Sequence, residues 1–105
     1  MPRDTTSTPA PRAIVAGAGF GGLAAALRLR ARGYDVRLID RCQRLGGRAQ
    51  VFERDGFRHD AGPTVLTAPH LFEELFALFG KRMADYVTLV QPDPWYRFWF
   101  NDGGT

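Results

Sequence analysis

Cysteine is nearly missing from the 105 residues. Cys42 stands alone, so no internal disulfide can form and the chain fits a reducing compartment. A long apolar run is missing as well. The most apolar stretch, Ala13 to Leu27, is shorter than the ~20 residues a bilayer span needs. It is broken by Gly17, Gly19, Gly21 and Gly22 and followed at once by Arg28, Arg30 and Arg32, which also excludes a secretory signal helix. Neither sign of charge dominates: 14 Lys+Arg stand against 11 Asp+Glu, with the arginines scattered and not striped, so a nucleic-acid partner gets little support and none is expected. Histidine is scarce too. His59 and His70 lack the Cys, His or carboxylate spacing of a metal site, and both read as structural.

What is present is the composition of a packed chain, 45% hydrophobic and 24% charged, which excludes disorder over most of its length. The length suits about one domain and is too short for a complete two-domain enzyme, so a fragment is expected. Residues 1–12 carry three Pro, three Thr and a Ser with no apolar period, and read as a flexible tail; organised structure is expected over 13–105.

Ala13–Ala16 is a short apolar run stopped by glycine, the pattern of a parallel strand buried on both faces. Phe20 to Arg32 turns helical, with Leu23 and Leu27 four apart and Gly33 as the stop. Tyr34 to Asp40 alternates and forms a second strand, completing one βαβ unit. Gln50–Glu53 and Phe57–Asp60 read as a hairpin turned at Arg54-Asp55-Gly56. A helix follows from Pro69 to a stop at Gly80, with Glu73 and Glu74 favouring its positive end. Its apolar positions cover more than one stripe, so packing on two sides is expected. Trp95 to Phe100 reads as an aromatic strand entering a turn at Asn101-Asp102-Gly103-Gly104 with no returning strand, a sign of truncation.

The chemistry sits in Gly17-Ala18-Gly19-Phe20-Gly21-Gly22, between a strand and a helix. Gly17 permits the tight turn, Gly19 lets backbone approach a pyrophosphate at the helix N-terminus, and Gly22 lets the helix lie close on the sheet. Asp40, eighteen positions after Gly22, stands where an acidic residue accepts from ribose hydroxyls and repels a 2′-phosphate, which disfavours NADP. Past it, Gly46-Gly47 lets the chain run close to a second stretch of cofactor, and Arg48, with Arg41 and Arg44 before it, offers a guanidinium fork to phosphate. That second loop favours FAD over NAD.

The run from Ala13 to Arg48, with its glycine loop, Asp40 and Leu45-Gly46-Gly47-Arg48, resembles the opening of the flavin amine oxidase and carotenoid desaturase superfamily. Asp60-Ala61-Gly62-Pro63-Thr64, Phe72-Glu73-Glu74-Leu75-Phe76, Asp85-Tyr86-Val87 and Trp95-Tyr96-Arg97 narrow the likeness to bacterial phytoene desaturases, from about residue 12 to the last. Relatives often carry Glu where this chain has Asp40. The resemblance implies an α/β fold, a Rossmann-like FAD-binding βαβ unit with a small β-hairpin addition in an incomplete domain. It implies dehydrogenation of C–C single bonds of an apolar, phytoene-like polyene, with hydride passing to FAD and a proton to a base or water. Gly17, Gly19, Gly22, Asp40, Gly47 and Arg48 would then hold the ADP portion, with Gly62, Pro63 and Thr64 near the isoalloxazine and Phe20, Arg41 and Gly46 also binding cofactor. A cytoplasmic enzyme touching the inner face of the membrane is implied in turn. Hydroxycarotenoid desaturase, carotenoid isomerase, amine oxidase and an inactive truncated product stay open as alternatives. No general base or nucleophile stands out, and Cys42 has no visible partner base.

Overall fold

The computed structural model describes residues 8–104, so the first seven residues of the expected tail lie outside the described residues. The elements are β1 (Arg12–Ala16), α1 (Phe20–Ala31), β2 (Asp35–Ile39), β3 (Val51–Arg54), β4 (Phe57–Asp60) and α2 (Pro69–Ala77), with 3-10 turns at Gly47–Ala49 and Met83–Asp85. Arg12 belongs to β1, not to the tail, because the ladder begins there. The Pro11 carbonyl takes the N–H of Asp35 at 2.8 Å and Arg12 registers with Asp35.

β1 and β2 pair in parallel with α1 as the crossover, the βαβ unit expected. Register places Ala13 beside Val36 and Val15 beside Leu38 on one face, all half-buried. α1 lies on that face, and the Val15 side chain comes within van der Waals reach of Gly22. The opposite face corrects the expectation of a strand buried on both sides: Ile14 is 70% exposed and Ile39 is exposed too. No further strand or helix covers it among the described residues, and a strand's second face is buried only when another layer supplies the contacts.

Both helices end alike. Past α1, Gly33 (φ 92°) donates to the Arg30 carbonyl and Tyr34 to that of Leu29; past α2, Gly80 (φ 66°) donates to Ala77 and Lys81 to Phe76. The left-handed residue in each lets two N–H groups turn back onto carbonyls the helix leaves open.

β3 and β4 form the expected hairpin, one residue later in β3 than the sequence suggested. Arg54 pairs with Phe57, leaving Asp55 (φ 52°) and Gly56 (φ 81°) as a two-residue turn with both angles positive, the Asp-Gly geometry that matches strand twist. The sheet alternation puts Phe52 and His59 opposite each other, stacked at 5.2 Å, so His59 is a packing residue.

α2 is packed on two sides. Phe72 meets Phe20 of α1 edge to face at 5.3 Å, and Phe76 meets Tyr86 at 5.4 Å beside buried Met83. Pro69 opens the helix as expected, but its first turn holds no acidic residue. Glu73 and Glu74 come too late in the helix to meet the dipole; Glu74 instead faces Arg28 of α1 at 3.6 Å.

Contrary to expectation, Trp95 to Phe100 is not a strand. A strand exists only through a ladder, and no described segment pairs with this one. The turn after it does close, with Phe100 donating to the Gly104 carbonyl and Gly103 to that of Phe100.

Candidate functional site: the glycine loop and its neighbours

The loop between β1 and α1 is built from backbone. Gly17 adopts φ 104°, a conformation that side chains disfavour, and its N–H bonds to the Ile39 carbonyl at 2.7 Å, tying the start of the loop to the end of β2. Gly22 lies under this turn; a Cβ there would collide with the Gly17 carbonyl oxygen. The nearest neighbour of that position is thus the turn that leaves β1, with the Val15 side chain of the sheet 3.7 Å away.

Gly19 is the residue before α1, and no side chain caps the helix. The N–H groups of the first turn thus have no intrahelical partner, and that turn contains no acidic residue. A Cβ on Gly19 would meet nothing nearer than the Gly47 Cα at 3.9 Å, so the space over this residue is open. An open surface above unpartnered N–H groups at the positive end of a helix fits an anionic group such as a pyrophosphate.

The second glycine pair is pressed against the first loop. Gly46 bridges to Gly19 in parallel fashion, and its N–H donates to the Ala18 carbonyl at 2.7 Å. Gly47 (φ 58°) lies so close that a Cβ there would stand 3.0 Å from the Gly19 Cα. Arg44 fastens the same segment to β3 through a 3.2 Å bond to the Val51 carbonyl. Gly62 closes the arrangement from the far side, where a Cβ would approach the Arg48 carbonyl to 2.5 Å.

Six of the residues singled out from sequence, Gly19, Phe20, Gly46, Arg48, Gly62 and Pro63, line one groove of about 830 Å³ together with Gly21, Ala49 and Ala61. Gly17, Gly22, Asp40, Arg41 and Gly47 are not among its lining residues. Thr64 lies elsewhere: it lines a separate groove of about 970 Å³ with Leu66, Leu89, Val90 and Trp95, which shares no lining residue with the first. Chain neighbours Pro63 and Thr64 thus face different spaces. Among the described residues, no three His, Cys, Asp or Glu converge on a metal-sized space.

Asp40 stands one residue beyond β2 with an exposed side chain. Its Oδ2 accepts the Ala18 N–H and its Oδ1 the Cys42 N–H, both at 2.7 Å. Those N–H groups, Ala18 first and Cys42 second, hold the carboxyl below its ordinary value, and the nearby Arg41 charge adds the smallest share. Ala18 was missed by sequence reading. It fills the variable position of the glycine motif, where the pattern carries no signal, yet it is 0% exposed, donates its N–H to Asp40 and accepts from Gly46 at its carbonyl.

Over residues 15–82 the sequence matches the family described as NAD(P)-binding Rossmann-like domain. The chain belongs to that family. This Rossmann-like chain is similar to carotenoid enzymes as well. It is 53% identical to the phytoene desaturase (lycopene-forming) of Pantoea ananas over 89 residues, 85% of the chain and 18% of that protein. It is 47% identical to the zeta-carotene-forming phytoene desaturase of Myxococcus xanthus over 98 residues, 93% of the chain and 19% of the relative. With the 4,4'-diapolycopene oxygenase of Methylomonas sp it shares 48% over 92 residues, 88% of the chain and 18% of that enzyme. The resemblance read from the motifs is thus found over most of the chain, which spans about a fifth of the length of the curated relatives it matches. No helix among the described residues is long and apolar enough to cross a membrane.

Proposed function

We propose that the chain is the FAD-binding opening of a carotenoid desaturase that converts C–C single bonds of a phytoene-like polyene precursor to double bonds. The observation that carries this reading is one groove in which the uncapped start of α1 meets Gly46–Ala49 and Ala61–Pro63. Gly19 leaves room for a pyrophosphate against the first-turn N–H groups, and Arg48 adds a cation on the same groove. Asp40, exposed beside the loop, keeps acceptor sites for ribose hydroxyls and would repel the 2′-phosphate of NADP. The second glycine pair, packed on the first loop, favours FAD over NAD because it extends the close-approach surface beyond a single pyrophosphate turn. Bound FAD would supply the two-electron acceptor for removing two hydrogens from the polyene. Peripheral contact with the inner face of the membrane, where so apolar a substrate resides, completes the proposal.

A second reading, oxygenation of a carotenoid, is favoured by the likeness to the Methylomonas enzyme. Expression of the intact gene in a host that accumulates phytoene separates the two. Coloured polyene with co-purified flavin supports desaturation. Unchanged phytoene, with oxygenated product only when a finished polyene is supplied, selects the second reading.

A further inference from the structure

The peptide of Ala18 joins three segments. Its N–H goes to Asp40 at the end of β2, its carbonyl accepts from Gly46 of the second glycine pair, and its neighbour Gly17 is bonded to Ile39. Ala18 is 0% exposed, so water is a poor substitute for any of these partners, and an unanswered buried N–H is costly. Asp40 answers it with one oxygen. The other oxygen closes a turn on Cys42, two residues on, the local bond that the short Asx side chain makes with backbone and a side chain longer by a methylene does not reproduce.

We propose that Asp40 is a positioning residue that holds the glycine loop in its pyrophosphate-accepting shape before any cofactor arrives. It does so by fixing Ala18 with Oδ2 and the Asp40–Cys42 turn with Oδ1. This rests on the reading of the loop as a dinucleotide site and adds to it a duty separate from ribose contact. The two duties are compatible, because each carboxylate oxygen offers two acceptor sites and only one of each is used by the backbone. With the carboxylate gone, Ala18 loses the partner that aims the next peptide, Gly19, at the open space above α1. The first-turn N–H groups would then sample other directions, and phosphate affinity would fall even for a ligand with no ribose hydroxyl to offer.

The test compares the protein expressed from its intact gene with D40N and D40A. Asn is isosteric, keeps one acceptor and holds the fold; Ala removes both. Two measurements are made: amide hydrogen exchange at Ala18 and Cys42 without nucleotide, and affinity for ADP and for 2′,3′-dideoxy-ADP. Expected is exchange at least about tenfold faster at Ala18 in D40A and at one of the two amides in D40N. Affinity for the dideoxy ligand should fall on the order of tenfold in D40N, and affinity for ADP by at least that factor, since ADP also loses the ribose contact. Unchanged exchange in both variants overturns the proposal, as does a loss of ADP affinity that disappears with the dideoxy ligand, which would leave ribose contact as the only role. If the unaltered protein binds neither nucleotide, the dinucleotide reading fails, while the exchange measurement still decides whether Asp40 holds the loop.

Discussion

Two residues show how backbone chemistry sets the site. Asp40 has its acidity raised by the N–H groups of Ala18 and then Cys42, so its contribution to loop order depends on pH with a fixed sign. That contribution is fully present above the ordinary carboxyl value of 3.8 and is lost as pH falls through the lower folded value. Exchange protection at Ala18 should therefore stay level from neutral pH down to about 3.8 and decline below it, with no such acid phase in D40N; a decline centred between pH 5 and 7 would contradict this. Gly22 supplies a steric counterpart. Gly22→Ala drives a methyl into the Gly17 carbonyl oxygen, and relief requires the loop or the helix to shift. A destabilisation of about 1–3 kcal/mol is expected, read as a lowered midpoint in denaturant unfolding of the protein expressed from its intact gene. An unchanged midpoint would show that the helix does not lie where the structure puts it.

Among the elements, what could be read from sequence was what depends on nearest neighbours. The βαβ unit, the Asp55-Gly56 turn and the glycine stops at Gly33 and Gly80 are local, and each was visible as a period or a punctuating residue. What could not be read depended on a partner elsewhere in the chain. Trp95 to Phe100 has strand composition but no ladder, and Ile14 has the look of a core residue but no second layer over it. The site followed the same division. The glycines announced themselves, whereas Ala18 at the junction and the split of Pro63 from Thr64 between two grooves depend on contacts between distant segments. The docking of α2 on α1 gives a test at this scale. Phe72→Ala removes the edge-to-face pair with Phe20, worth about 0.5–1.5 kcal/mol beyond the buried area. Arg28→Ala removes only an exposed ion pair with Glu74 and should cost well under 1 kcal/mol. Thermal melts of the two variants, made in the protein expressed from its intact gene, should rank in that order; equal shifts would mean that the helices are held by charge.

Taken as a whole, the chain has apolar faces in place and little to cover them. Only Ala18 and Met83 are buried apolar residues among those described, while Val90 is 82% and Trp99 73% exposed. The radius of gyration is 19.7 Å, against about 13 Å for a compact domain of this length. The accessible surface is 9588 Å², against about 5900 Å² expected for a folded monomer of 11.7 kDa. Residues 1–105 expressed alone should accordingly bind a hydrophobic dye such as ANS and melt without a sharp transition. A cooperative melt with no dye binding would contradict that. The open space over Gly19 is assigned to a flavin dinucleotide, and two substitutions at this position separate that assignment from a general effect on folding. Gly19 has φ −74°, which any residue adopts, and a Cβ there touches only the Gly47 Cα at 3.9 Å, so the protein itself tolerates a methyl. The decisive measurement is flavin content per chain in Gly19→Ala and Gly19→Val, beside the unfolding midpoint of each protein stripped of cofactor. Flavin content should fall with side-chain size while the Gly19→Ala midpoint stays within about 1 kcal/mol of the parent; full flavin occupancy in Gly19→Val would contradict the assignment.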